Sequence, residues 1–160
     1  MGERRYICRK KMIQRIQSVF LFLAASALGG QFALPYLQAP IDSPARTLPA
    51  LADGALNPLD NIGLLGLTIL GAAVSVVAIF LFKNRPLQAR LAGMAAGVGV
   101  LLLALAGFTT KTTLDQTPEG GSAQLAFGLA LPVLALAFNW LAARAIRKDD
   151  ALVRSMDRLR

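Results

Sequence analysis

The chain has 160 residues, 55% of them apolar and 16% charged, where an ordinary soluble domain is about 45–50% apolar and about 25% charged. It is basic, with 17 Lys and Arg against 9 Asp and Glu, but its cations are gathered in clusters near apolar runs instead of spread along a face, which argues against a nucleic-acid partner. A single cysteine and no histidine exclude an intrachain disulfide, a Cys/His zinc site, His-ligated haem and a His general base.

Four uncharged runs, 16–41, 61–82, 91–110 and 120–143, have 26, 22, 20 and 24 residues. Each reaches the roughly 20 residues that a helix needs to cross about 30 Å of hydrocarbon. Fifteen of the 17 cations lie before the first run, between the second and third, or after the fourth; Arg46 and Lys111 alone fall in the other two loops. This is the positive-inside pattern, and it places both termini and the middle loop in the cytoplasm.

Residues 1–11, MGERRYICRKK, read as a solvated basic extension, and Met12 is an alternative initiator. Cys8 lies among bases near the membrane, and an inert thiol is expected there in preference to an acylated one. The basic start and VFLFLAASALGG look like a secretory signal with a cut after Ala25-Ser26-Ala27. The apolar run continues through Leu37, past a normal signal core, so an uncleaved first span over 16–37 is expected.

Residues 38–60 carry Pro40, Pro44, Pro49 and Pro58 and are expected to be irregular chain, folded over the bundle mouth through Leu48, Leu51 and Leu56. Asn57-Pro58-Leu59-Asp60 has the order of a helix start: an amide that accepts from free N–H groups, a proline that needs none, and an acid at the positive end of the dipole. Asp42, Asp53 and Asp60 match no calcium loop and are read as loop and cap residues. Span two, 61–82, ends in Lys83-Asn84-Arg85-Pro86, a short basic turn that returns span three, 90–110, antiparallel beside it. Ala89, Gly93, Gly97 and Ala104 put small residues close to one face of span three. The Gly93/Gly97 pair is expected to pack within its own bundle in preference to a homodimer.

Residues 110–122 form the second outer loop, with Thr117-Pro118-Glu119 as the start signal for span four, 122–144. Pro132, inside that span, is expected to kink it. The interior polar groups of the spans are Ser26, Gln31, Thr68, Ser75, Gln124 and Asn139, none of them ionisable. Without an intramembrane charge, a proton-coupled transporter or an intramembrane hydrolase is disfavoured. With no Gly-rich phosphate loop, no cofactor is expected.

Past Trp140, which suits the bilayer interface, the chain keeps helical spacing while becoming charged. Leu152, Met156 and Leu159 share one stripe; Arg147, Asp150, Arg154, Asp157 and Arg158 lie largely elsewhere. Pairs such as Asp150 with Arg154 each contribute about 0.2–0.5 kcal/mol, too little to hold a short helix alone. The stripe is therefore expected to rest on headgroups, on the 83–90 turn, or on a partner. The same pairing accounts for Asp149, Asp150 and Asp157 without making them the acid or base of a lipid-modifying enzyme.

MIQRIQSV at 12–19, NRPLQARL at 84–91 and the ending RAIRKDDALVRSMDRLR together resemble a family of small four-span membrane proteins of Bacteroidota, a domain of unknown function. The resemblance implies an inner-membrane location and brings no catalytic residue with it.

The expectation is an all-α integral membrane protein: a four-helix up-down bundle over 12–148 with a C-terminal amphipathic cytoplasmic helix, 149–160, both termini cytoplasmic. Candidate lipid or protein contacts are Arg147, Arg154, Arg158, Leu152, Met156 and Leu159; candidate packing residues are Gly93 and Gly97. The partners expected are the lipid bilayer and a membrane or cytoplasmic protein. The expected role is a non-enzymatic scaffold or accessory subunit that docks its partner on the inner face. A small transporter or channel-like protein for an uncharged or lipophilic solute is the alternative.

Overall fold

A computed structural model of the protein describes the backbone of residues 2–82 and 84–157 and the side chains of residues 16–82, 84–151 and 155. Four helices carry the fold: α1 (Gly2–Gly30), α2 (Ile62–Phe80), α3 (Arg85–Asp115) and α4 (Ala130–Asp157). Neighbours in sequence are neighbours in space, and α4 closes the ring against α1, giving the up-down bundle expected.

The helices meet along seams whose buried positions recur mostly three or four residues apart. In α3 the buried positions are Gln88, Ala89, Ala92, Ala95, Gly99, Leu102, Ala106, Thr110 and Thr113; in α2 they are Leu64, Thr68, Gly71, Ser75 and Ala78. That period keeps one narrow stripe facing the partner helices. Small residues on the stripe let the helices approach, so that dispersion contacts, individually weak, accumulate. A Cβ at Gly99 would stand 3.5 Å from the Cα of Leu136 on α4, and one at Gly71 would stand 3.2 Å from a methyl of Leu28 on α1.

Ile62–Phe80, Arg85–Asp115 and Phe127–Ala151 are long and apolar enough to cross a membrane. The apolar part of α1 is shorter, Ile16–Gly30. The helix stops at Gly30 and not near Leu37 because Gly29 and Gly30 weaken it and Pro35 restricts its own φ and the residue before it. The chain turns over 31–34 and enters a small cap.

The cap replaces the irregular loop expected. Strand β1 (Leu37–Gln38) lies between β2 (Ala55–Leu56) and β3 (Gln124–Leu125), antiparallel to both, with Leu37 opposite Leu56 and Leu125. Short 3₁₀ turns open on Pro44, Pro49 and Pro58, where a missing N–H costs nothing. Leu51 and Leu56 are fully buried beneath them. Asn57-Pro58-Leu59-Asp60 does make a capping box, but on a 3₁₀ turn; α2 itself is capped by Asn61, whose Oδ1 accepts from Gly63 and Leu64.

Span four also starts later than its uncharged run. Residues 124–129 are held as strand and turn because Ala126 N–H donates to the Tyr36 carbonyl at 2.9 Å and Gly128 N–H to the Pro35 carbonyl at 3.0 Å. Thr117-Pro118-Glu119 therefore opens no helix. Pro132 falls in the first turn of α4, where its absent N–H would have had no helical partner, so the mid-span kink expected of it has no basis. The C-terminal amphipathic helix is the unbroken continuation of α4 to Asp157.

Candidate docking site

At the end of the bundle opposite the cap, which holds the clustered cations and is called the basic end below, polar side chains tie helix to helix. The α2–α3 hairpin turns on Asn84, whose Oδ1 accepts from Leu87 N–H at 3.4 Å, with Pro86 in the first turn of α3. One turn on, Gln88, 2% exposed, donates from Nε2 to the Ala78 carbonyl at 3.0 Å. Ala78 lies in the last turn of α2, where carbonyls have no helical partner, so Gln88 satisfies one of them and locks the hairpin. Gln17, also buried, donates from Nε2 to the Ala145 carbonyl at 3.3 Å and joins α1 to α4.

The third helix-to-helix tie is ionic. Arg85, the first residue of α3, approaches Asp149 of α4 with Nε and Oδ2 3.5 Å apart. Asp149 also lies toward the positive end of the α3 dipole. Sequence reasoning paired the acids of this region with bases on their own helix; Asp149 instead serves the interhelical contact.

Arg147 lies across α3: a Cβ on Gly93 would stand 3.3 Å from its Nη2. Gly93 thus gives room to a side chain, whereas the close approach of helix to helix runs through Gly71 and Gly99. Gly97 has open space where its Cβ would be. Arg144 stacks on the half-exposed ring of Trp140, its guanidinium carbon 5.5 Å from the ring centre. Arg90, Arg144, Arg147 and Lys148 are exposed around this end. The side chains of Leu152, Arg154, Met156, Arg158 and Leu159 lie outside the described residues.

The three ties fall in the stretches that looked most specific in sequence: Gln17 in MIQRIQSV, Arg85 and Gln88 in NRPLQARL, Asp149 in the ending. Gln88 was missed as a site residue. Its place on the three-four spacing with Ala92, Ala95, Gly99 and Leu102 was the available signal, since a polar residue on a buried stripe needs a partner.

The polar groups of the spans do not gather into one path. Ser75 of α2 donates to the Gly71 carbonyl at 2.8 Å and meets Asn139 Oδ1 of α4 at 3.1 Å across the bundle. Nearer the cap, the Tyr36 hydroxyl donates to Gln31 Oε1, and Thr68, two turns from Ser75 along α2, is buried. Gln124 is exposed on β3 and Ser26 is exposed on α1. In the cap, Asp53 and Asp60 accept from Ala55 and Asn57 N–H, the cap roles expected of them. A cleft of about 360 Å³ there is lined by Gln38, Arg46, Asp53 and Gln124 among others, and Arg46 is engaged with the Ala39 and Pro40 carbonyls. Among the described residues no group of three or more His, Cys, Asp or Glu could hold a metal.

Apolar spanning helices closed by a polar cap and a cationic end define a multi-pass α-helical membrane protein. A family model, a domain of unknown function (DUF4293), matches residues 13–159, and the chain belongs to that family. No curated protein and no solved structure matches it.

Proposed function

We propose that the protein is a non-enzymatic scaffold or accessory subunit of a bacterial inner membrane, with its termini and basic end in the cytoplasm, that docks a membrane or cytoplasmic protein. The source in Bacteroidota follows from the resemblance of its motifs, and the orientation from the positive-inside distribution. The observation that carries the reading is the gathering of polar helix-to-helix ties and exposed cations at one end. Gln17, Gln88, Arg85 and Asp149 fix the four helices relative to one another there. Beyond that end α4 continues to Asp157 and α1 reaches back to Gly2. A rigid platform with two projecting helices suits a docking role, because little order has to be gained on binding.

Passage of an uncharged or lipophilic solute is the competing reading. It needs Gln31, Ser75, Gln124 and Asn139 on one route, but only Ser75 and Asn139 meet; Gln31 is bonded to Tyr36 nearer the cap and Gln124 lies on the cap strand β3. Purification in mild detergent of the full chain and of a truncation after Ala151, which keeps the Asp149–Arg85 pair, tests the proposal. The full chain is expected to retain a protein that the truncation loses. Recovery of identical proteins with both would sink it.

A further inference from the structure

We propose that the groove between α3 and α4 at the basic end binds the phosphate of an anionic phospholipid through Arg147, with Arg90 and Arg144 on its rims. Arg147 leaves α4 on the side of α3, since its guanidinium lies over Gly93. Side chains on a helix lean toward its N-terminus, so Arg147 and Arg144 both reach back from the basic end toward the hydrocarbon. Arg144 packs on Trp140, 54% exposed, and an amphipathic ring of this kind marks headgroup depth. Arg90 stands one turn from Gly93 on α3 and is exposed. Arg147 thus lies between α3 and α4, with exposed Arg90 and Arg144 on neighbouring turns of the two helices.

Among the described residues none of the three has a carboxylate at ion-pair distance, and Asp149 is engaged with Arg85. A guanidinium presents forked donors that suit a phosphate, and that of Arg147 is seated over Gly93 of α3. The complement is a lipid whose headgroup keeps its negative charge, as in phosphatidylglycerol. In phosphatidylcholine the headgroup's own ammonium offsets the phosphate. The inference stands apart from protein docking: it concerns the sides of α3 and α4 within the bilayer boundary and not the helix ends beyond it.

Trp140 is the one tryptophan of the chain, so its fluorescence reports this groove alone. The full-length protein is placed in phosphatidylcholine nanodiscs doped with either brominated phosphatidylglycerol or brominated phosphatidylcholine at equal mole fraction. Brominated phosphatidylglycerol is expected to quench Trp140 more strongly. Arg147→Gln is expected to lower that preference about fivefold, the scale of one cation at an anionic surface, while Arg46→Gln, in the cap, leaves it unchanged. Equal quenching by the two lipids in the unaltered protein would overturn the proposal. So would a preference that survives both Arg147→Gln and Arg144→Gln in protein of unchanged unfolding temperature.

Discussion

Asp149 of α4 and Arg85 of α3 stand 3.5 Å apart across the basic end, with side chains 10% and 24% exposed. The pair lies between a surface ion pair, worth up to about 1 kcal/mol, and a buried one, whose breaking costs about 3–5 kcal/mol. Asp149→Ala is therefore expected to lower the unfolding free energy in detergent by about 1–3 kcal/mol. The double variant Arg85→Ala/Asp149→Ala should cost less than the sum of the single changes, because the second removes a charge already left unpaired. Strict additivity would show that the two residues do not act together.

The contact of Ser75 with Asn139 supports a second cycle. Hydrogen bonds between helices in membranes average about 0.6 kcal/mol and reach about 1.7 kcal/mol. The coupling between Ser75→Ala and Asn139→Ala, read from unfolding in mixed micelles, is expected in that range. Asn139→Ala should be the costlier single change, since it also removes side-chain volume from a fully packed position.

Gly128 and Gly97 predict opposite outcomes for the same substitution. A Cβ on Gly128 would overlap the Leu34 and Pro35 carbonyls, and backbone cannot move aside as a side-chain tip does. Gly128→Ala is expected to cost about 1–3 kcal/mol and to open residues 38–60 to limited proteolysis. Gly97→Ala meets nothing within 4 Å and lies inside a helix, where alanine is favoured by about 0.5–1 kcal/mol. Equal sensitivity of the two variants in a thermal unfolding series would contradict the packing described here.

The helices were legible because each uncharged run had to satisfy its own backbone polar groups in lipid, which leaves helix as the open choice. Their ends were not. Ala130 begins α4 because the Ala126 and Gly128 N–H groups bond to the Tyr36 and Pro35 carbonyls, partners some ninety positions away that no local pattern reveals. The same holds for the two-residue strands of the cap, too short for alternation to register. At the basic end, composition marked the cations, and the resemblance marked Gln17, Arg85 and Asp149. That these residues bond helix to helix follows from which faces meet, as does the seating of Arg147 over Gly93.

The docking proposal is tested most directly by crosslinking inside cells from a photoreactive residue at Ala151 or Ser155, both exposed on the last turns of α4, followed by mass spectrometry. The account predicts a reproducible crosslink to one protein, absent when the same residue is placed at exposed Gln38 in the cap. Crosslinks confined to lipid or to the α2–α3 turn of the same chain would contradict it and leave α4 as an anchor.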